Sequence, residues 1–145
     1  LILQGIESLP VRMDRHCENA TKVAQFLEKH PKVNWVNYPG LESHVDYPLV
    51  KQLMNGKASS ILSFGIEGGS VNGAKFIDAL QLIVRLVNIG DAKSLACHPA
   101  STTHRQLSPE ELKKAGCPED LVRLSIGIEN VDDIIDDIKQ ALNQW

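Results

Sequence analysis

The sequence predicts an α+β two-layer sandwich, with a sheet of about four mostly antiparallel strands covered on one face by helices. Two kinds of run carry that expectation: short stretches in which apolar and polar residues alternate, and longer ones with a single apolar stripe at helical spacing. Turn pairs such as Pro39-Gly40, Asn55-Gly56 and Gly68-Gly69 separate them. At 145 residues the chain is about one domain, large enough to bury a sizeable core.

In chain order, Ile6, Leu9, Met13, Cys17, Ala20, Ala24 and Leu27 make the stripe of a long opening helix, which Pro31 closes after the basic pair Lys29-His30. Pro10 lacks a backbone donor, so the helix proper starts or kinks there, and Gly5 weakens what precedes it. Residues 1–32, a helix too long for the domain behind it, are expected to bridge to a missing N-terminal part, and residues 33–145 to form the C-terminal α+β domain. The chain opens Leu-Ile-Leu-Gln, without an initiator Met and inside a helical pattern, and so reads as a piece of a longer protein.

Residues 33–38 predict a first strand, 41–46 a loop and 48–54 a short helix ended by Asn55-Gly56. Residues 60–67 predict a second strand with Leu62, Phe64 and Ile66 on one face. Ser70 is expected to cap a helix through Leu80 with a buried stripe of Val71, Ala74, Ile77 and Leu80. Residues 82–89 read as a third, largely apolar strand. Residues 90–105 have no period and predict a long loop with room for one short strand, Leu95–Cys97; such loops are often functional. Ser108-Pro109-Glu110-Glu111 is a capping box, and its helix ends at Gly116.

Residues 121–138 organise the rest. Val122, Leu124, Ile126 and Ile128 alternate with Arg123, Ser125, Gly127 and Glu129, so a half-buried strand turns Arg123 away from the core. Asn130 then caps a helix whose apolar face is Val131, Ile134, Ile135, Ile138, Ala141, Leu142 and Trp145. A guanidinium presented this way is a fork for a carboxylate or phosphate, although position alone also fits a surface ion pair. Asn88 offers an amide and Gly90 a close backbone approach beside it.

Other groupings carry less. Cys97, His98 and His104 match no zinc spacing, and no metal site is expected. Asp132, Asp133, Asp136 and Asp137 read as the solvated face of their helix. Neither Lys93-Ser94 nor Gly56-Lys57 belongs to a phosphate-loop pattern. Net charge of −3 offers no basic surface to nucleic acid or anionic lipid, and no apolar run approaches a membrane span. The three cysteines lack C-x-x-C spacing, which argues for reduced thiols and a cytoplasmic protein. Spacing alone therefore yields an anion-binding face with no legible catalytic set.

Taken together, GIESLPVRMDRHCENA, VNYPGLESH, NIGDAKSLACHPASTTHRQLS and LVRLSIGIENVDDIIDDI resemble the C-terminal domain of the cysteine and methionine metabolism family of pyridoxal-phosphate enzymes, over essentially the whole chain. The resemblance implies the small domain of a fold-type I subunit, closing over an amino-acid substrate held by a larger cofactor domain. It implies that Arg123 binds the substrate α-carboxylate, that Asn88 stands where relatives commonly have a Ser assisting it, and that Thr103 lies on a loop facing the site. Within the family it implies the sulfide-adding enzymes acting on O-acetylhomoserine, with methionine and cystathionine lyases as the alternative. A homo-oligomeric parent, a tetramer, is implied too. The cofactor's lysine is expected upstream of Leu1, so the chain alone should hold no catalytic or cofactor-binding residue and be inactive. A reading from another class is a non-catalytic interaction or oligomerisation module.

Overall fold

The strand that carries Arg123 lies inside the sheet, with a strand on each side. The computed structural model describes residues 1–145, in which β1 (Val33–Asn37), β2 (Ile61–Ile66), β3 (Val84–Arg85), β4 (Leu95–Cys97) and β5 (Leu121–Ser125) pair in the order β1-β2-β5-β4-β3. The expected four strands are five, because Leu95–Cys97 joins the sheet in its own right. The mostly antiparallel expectation needs one amendment: β3 runs parallel to β4, while the other three pairs are antiparallel.

The expected third strand, 82–89, contributes only Val84 and Arg85. Its neighbour β4 is three residues long, and a parallel partner can be reached only by running the chain back along the sheet. Residues 86–94 make that return and so leave the sheet, apolar side chains notwithstanding; Leu86, Val87 and Ile89 are exposed.

One face of the sheet is the core. Leu62, Phe64 and Ile66 of β2 and Val122 and Leu124 of β5 are fully buried there, as period-two alternation requires. Three helices cover them: α2 (Leu9–Glu28), α4 (Gly69–Ala79) and α6 (Val131–Leu142), preceded or separated by α1 (Ile2–Glu7), α3 (Tyr47–Met54) and α5 (Pro109–Lys114). Each fully buried Leu, Ile or Phe contributes about 1.5–3 kcal/mol.

The opening helix is two, broken at Ser8, with Pro10 in the first turn of α2. Ile6 and Leu9 are exposed; burial begins at His16 and continues through Leu27, so the second half of α2 packs into the sheet's core while α1 stands clear of it. Helix α4 is capped by Gly68, not Ser70. Gly68 and Gly69 both take positive φ (86° and 62°), which reverses the chain a step earlier and rotates the helix. Gly73, Phe76 and Ile77 therefore face inward and Val71 outward, and Phe76 meets Phe64 edge-on with centroids 5.6 Å apart.

Helix α6 has the expected cap, Asn130 Oδ1 accepting from Asp132 N at 2.9 Å. Its acidic row is not all solvated. Asp137 is 6% exposed, and its carboxylate accepts from the backbone N–H groups of Gln81, Leu82 and Ile83, each at 2.9 Å. Residues 134, 137, 138 and 141 share one helix face, which places Asp137 at the turn leading into β3.

Candidate functional site

The second face of the sheet carries Ile61 and Ser63 of β2, Leu121 and Arg123 of β5 and Cys97 of β4, since Ser63 and Cys97 are the cross-strand partners of Arg123. The segment between β4 and β5 folds over part of it. Pro99, Thr103, His104 and Cys117 close a cleft of about 420 Å³, with Val87 from the β3–β4 return on the other side. Half of its ten lining residues are apolar and Arg123 is its only permanent cation.

Local sequence explains each position. Alternation on β5 turns Arg123 into the cleft, half-buried, with Val122 and Leu124 locked in the core behind it. Thr103 follows a 3-10 turn, Pro99–Ser101, and its hydroxyl pairs with His104 Nδ1 at 2.8 Å. Asn88 lies on the exposed return segment: its carbonyl accepts from Arg123 Nη2 at 3.2 Å, while its side-chain amide turns to Asp91 and its oxygen to Ile89 N. The structure thus brings Arg123 and Thr103 to one cleft and joins Asn88 to it by main chain. Lys93 does not line the cleft.

Cys97 sits beside the guanidinium. Burial pushes its thiol above the ordinary value of 9.0, against the opposing pull of Arg123, so at neutral pH it is uncharged and leaves the cation free. His98 is not available as a ligand: it is buried, with Nδ1 paired to Ser101 Oγ at 3.0 Å and Nε2 donating to the Glu119 carbonyl at 2.8 Å. Sequence reasoning passed over Ile61, Ser63 and Cys117 as cleft residues. For Ile61 and Ser63 the signal was present, since they alternate with Leu62 and Phe64; Cys117 follows α5 and is placed by tertiary folding alone.

A lone guanidinium in a half-apolar cleft has the chemistry to pair with a carboxylate or phosphate that carries an aliphatic body. Residues 1–143 match the family model described as Cys/Met metabolism PLP-dependent enzyme, and the chain belongs to that family. It is 53% identical over 142 residues to a homocysteine synthase of Schizosaccharomyces pombe, covering 98% of this chain and 33% of that protein. Identity to an O-acetyl-L-homoserine sulfhydrylase of Leptospira meyeri is 55% (97% and 32% covered), and to an L-methionine gamma-lyase of Pseudomonas putida 47% (98% and 35%). A solved Campylobacter jejuni structure, described as an O-acetylhomoserine (thiol)-lyase bearing a pyridoxyl-lysine, superposes with a TM-score of 0.90 at 48% identity, over 98% of this chain and 34% of that one. The chain therefore spans about a third of the length of the relatives it matches. The lysine that carries the cofactor lies outside it.

Proposed function

We propose that the chain is the substrate-closing domain of a pyridoxal-phosphate-dependent O-acetyl-L-homoserine sulfhydrylase, whose intact form converts O-acetylhomoserine and sulfide to homocysteine and acetate. The observation that carries this reading is Arg123, the single permanent cation of a half-apolar cleft, on a domain like that of sulfhydrylases at 53–55% identity. In this reading Arg123 orients the amino acid by pairing with its α-carboxylate, Thr103 lends a hydroxyl at the cleft rim, and Asn88 sets the return segment against the guanidinium. The apolar wall made by Ile61, Val87 and Leu121 suits the substrate's methylenes and excludes water around the ion pair.

The cleft residues fit the substrate and not the cofactor: no lysine lines it, and no cluster of donors beyond one guanidinium awaits a phosphate. Pyridoxal phosphate, held by the rest of the parent, supplies the electron sink through which acetate leaves and sulfide adds. Residues 1–32, which open with the exposed apolar side chains Leu1, Ile2, Leu3, Ile6 and Val11, are read as the bridge to that part. The parent is read as a cytoplasmic homo-oligomer, a tetramer.

The test is made on the full-length parent. Arg123→Ala should cost about 1.5–3 kcal/mol of transition-state binding, roughly ten- to over a hundredfold in kcat/KM; an unchanged value overturns the assignment. The 47% identity to a methionine gamma-lyase supports a second reading. Homocysteine that forms only when sulfide is added marks the sulfhydrylase, and thiol release from methionine without sulfide marks the lyase.

A further inference from the structure

We propose that Glu129 is a positioning residue for the Arg123 site, acting through Ser94 on the return segment 88–94; this rests on Arg123 being the carboxylate-binding group. The return segment is exposed from Asn88 to Gly90, and its internal bonds are local: Asn88 to Asp91 at 3.4 Å and Lys93 N to Asp91 at 3.0 Å. Besides the sheet bond from Val84 N to the Ser94 carbonyl at 3.0 Å, it is tied to the body of the protein at three places. One is the Arg123–Asn88 carbonyl bond at 3.2 Å. A second is the Ala92 carbonyl, which accepts from Ile128 N at 3.0 Å. The third is a knot at Ser94, where the Glu129 carboxylate accepts from Ser94 N at 2.6 Å and Ser94 Oγ at 3.0 Å, and Ser94 Oγ in turn accepts from Gly127 N at 2.9 Å.

These three ties end on the same stretch of chain, β5 and its exit. Strand β5 therefore holds the cation, and its continuation holds the loop whose carbonyl takes one arm of that cation. Asn19 stiffens the exit, its Nδ2 donating to the Gly127 and Glu129 carbonyls at 3.0 and 2.9 Å. Gly127 has no room for a side chain, since a Cβ there would strike Glu129 Oε2, the Ala92 carbonyl and, at 2.6 Å, the Lys93 backbone. No ion pair involves Glu129, so its charge serves the Ser94 donors alone. Fixing the loop fixes the Asn88 carbonyl against one guanidinium nitrogen, Nη2.

The test uses the full-length, cofactor-loaded parent and two probes: L-norleucine and pentylamine, the same amine without its carboxylate. Binding of each is read from the cofactor's absorbance. Glu129→Gln should weaken norleucine about tenfold and pentylamine less than about twofold, and in an Arg123→Ala background it should change norleucine by less than about twofold. Ser94→Ala, which removes only the hydroxyl, gives the same pattern and stands in should Glu129→Gln not fold. Equal weakening of both probes, an undiminished effect without Arg123, or no weakening at all overturns the proposal. Wild-type parent that prefers norleucine but makes no homocysteine from O-acetylhomoserine and sulfide overturns the proposed reaction and leaves the positioning role standing. No preference for norleucine in the wild type overturns both.

Discussion

Removing the Asp137 carboxylate tests how the turn into β3 is held. Asp137 is nearly inaccessible, and its two oxygens serve the N–H groups of three consecutive residues, Gln81, Leu82 and Ile83, together with Gln140 Nε2 at 3.0 Å. Hydrogen bonds to a charged acceptor contribute about 1.5–3 kcal/mol each, and a buried donor left alone costs about 1–3 kcal/mol. Some donors will find water once the side chain is gone, so Asp137→Ala should lose about 3–5 kcal/mol in all. Asp137→Asn keeps one acceptor oxygen but turns an amide N–H toward another donor, and should lose about 2 kcal/mol. Urea unfolding of the chain, followed by circular dichroism, is the assay. With a slope of about 2 kcal/mol per molar, the alanine variant's midpoint should fall by about 2 M. A loss below about 1 kcal/mol for Asp137→Ala would refute the reasoning, because it would mean that the three N–H groups are as well served without the carboxylate.

Three further outcomes follow from the geometry. Ser108→Ala breaks a reciprocal cap, in which Ser108 Oγ accepts from Glu111 N and Glu111 Oε2 accepts from Ser108 N at 2.8 Å; amide exchange in α5 should quicken by about fivefold, equivalent to about 1 kcal/mol, with little change in β5. Burial raises Tyr38, Cys17 and Cys97 above their ordinary values of 10.0, 9.0 and 9.0, so the folded state holds these protons more tightly. Their contribution is complete below about pH 9 and is lost as pH rises through the higher folded values, so urea midpoints should be flat near neutrality and fall in alkali; a rise there contradicts the burial argument. Finally, a thiol reagent at pH 8 should label half-exposed Cys117 well before buried Cys97 and Cys17, read by mass of the digested peptides.

What the sequence disclosed was whatever depends on neighbours along the chain. The β5 alternation, the Asn130 cap, the Ser108 box and the turn at Asn55 (φ 50°) and Gly56 are local, and all are legible before folding is known. The length of β3 is not local: an apolar run of suitable length meets a partner only three residues long, and the return path takes the rest. The helix α4 stripe was misread by one step of rotation, which two consecutive positive-φ glycines decide. Asp137 was legible in principle. It falls in the same 3-4 spacing as Ile134, Ile138 and Ala141, and only its charge argued against burial. In the cleft, Arg123 could be found by alternation; Cys97 arrives on a strand of three residues, too short to show a period, and Thr103 and Cys117 reach the cleft through a segment whose path no periodicity records.

The strand order carries a consequence for how the chain acquires its shape. Strands β2 and β4 face each other across a gap that only β5 fills, and β5 is the last of the five to be made. A growing chain that has reached α5 owns two strand pairs, β1-β2 and β3-β4, with an unsatisfied edge on each. Before residues 121–126 arrive the two pairs share no strand ladder and meet only where α4, packed on β2, touches the turn after β4. Folding should therefore be a late, single event that waits on the C-terminal quarter of the chain, and a truncation ahead of Leu121 should leave an aggregation-prone pair of open edges instead of a smaller stable domain.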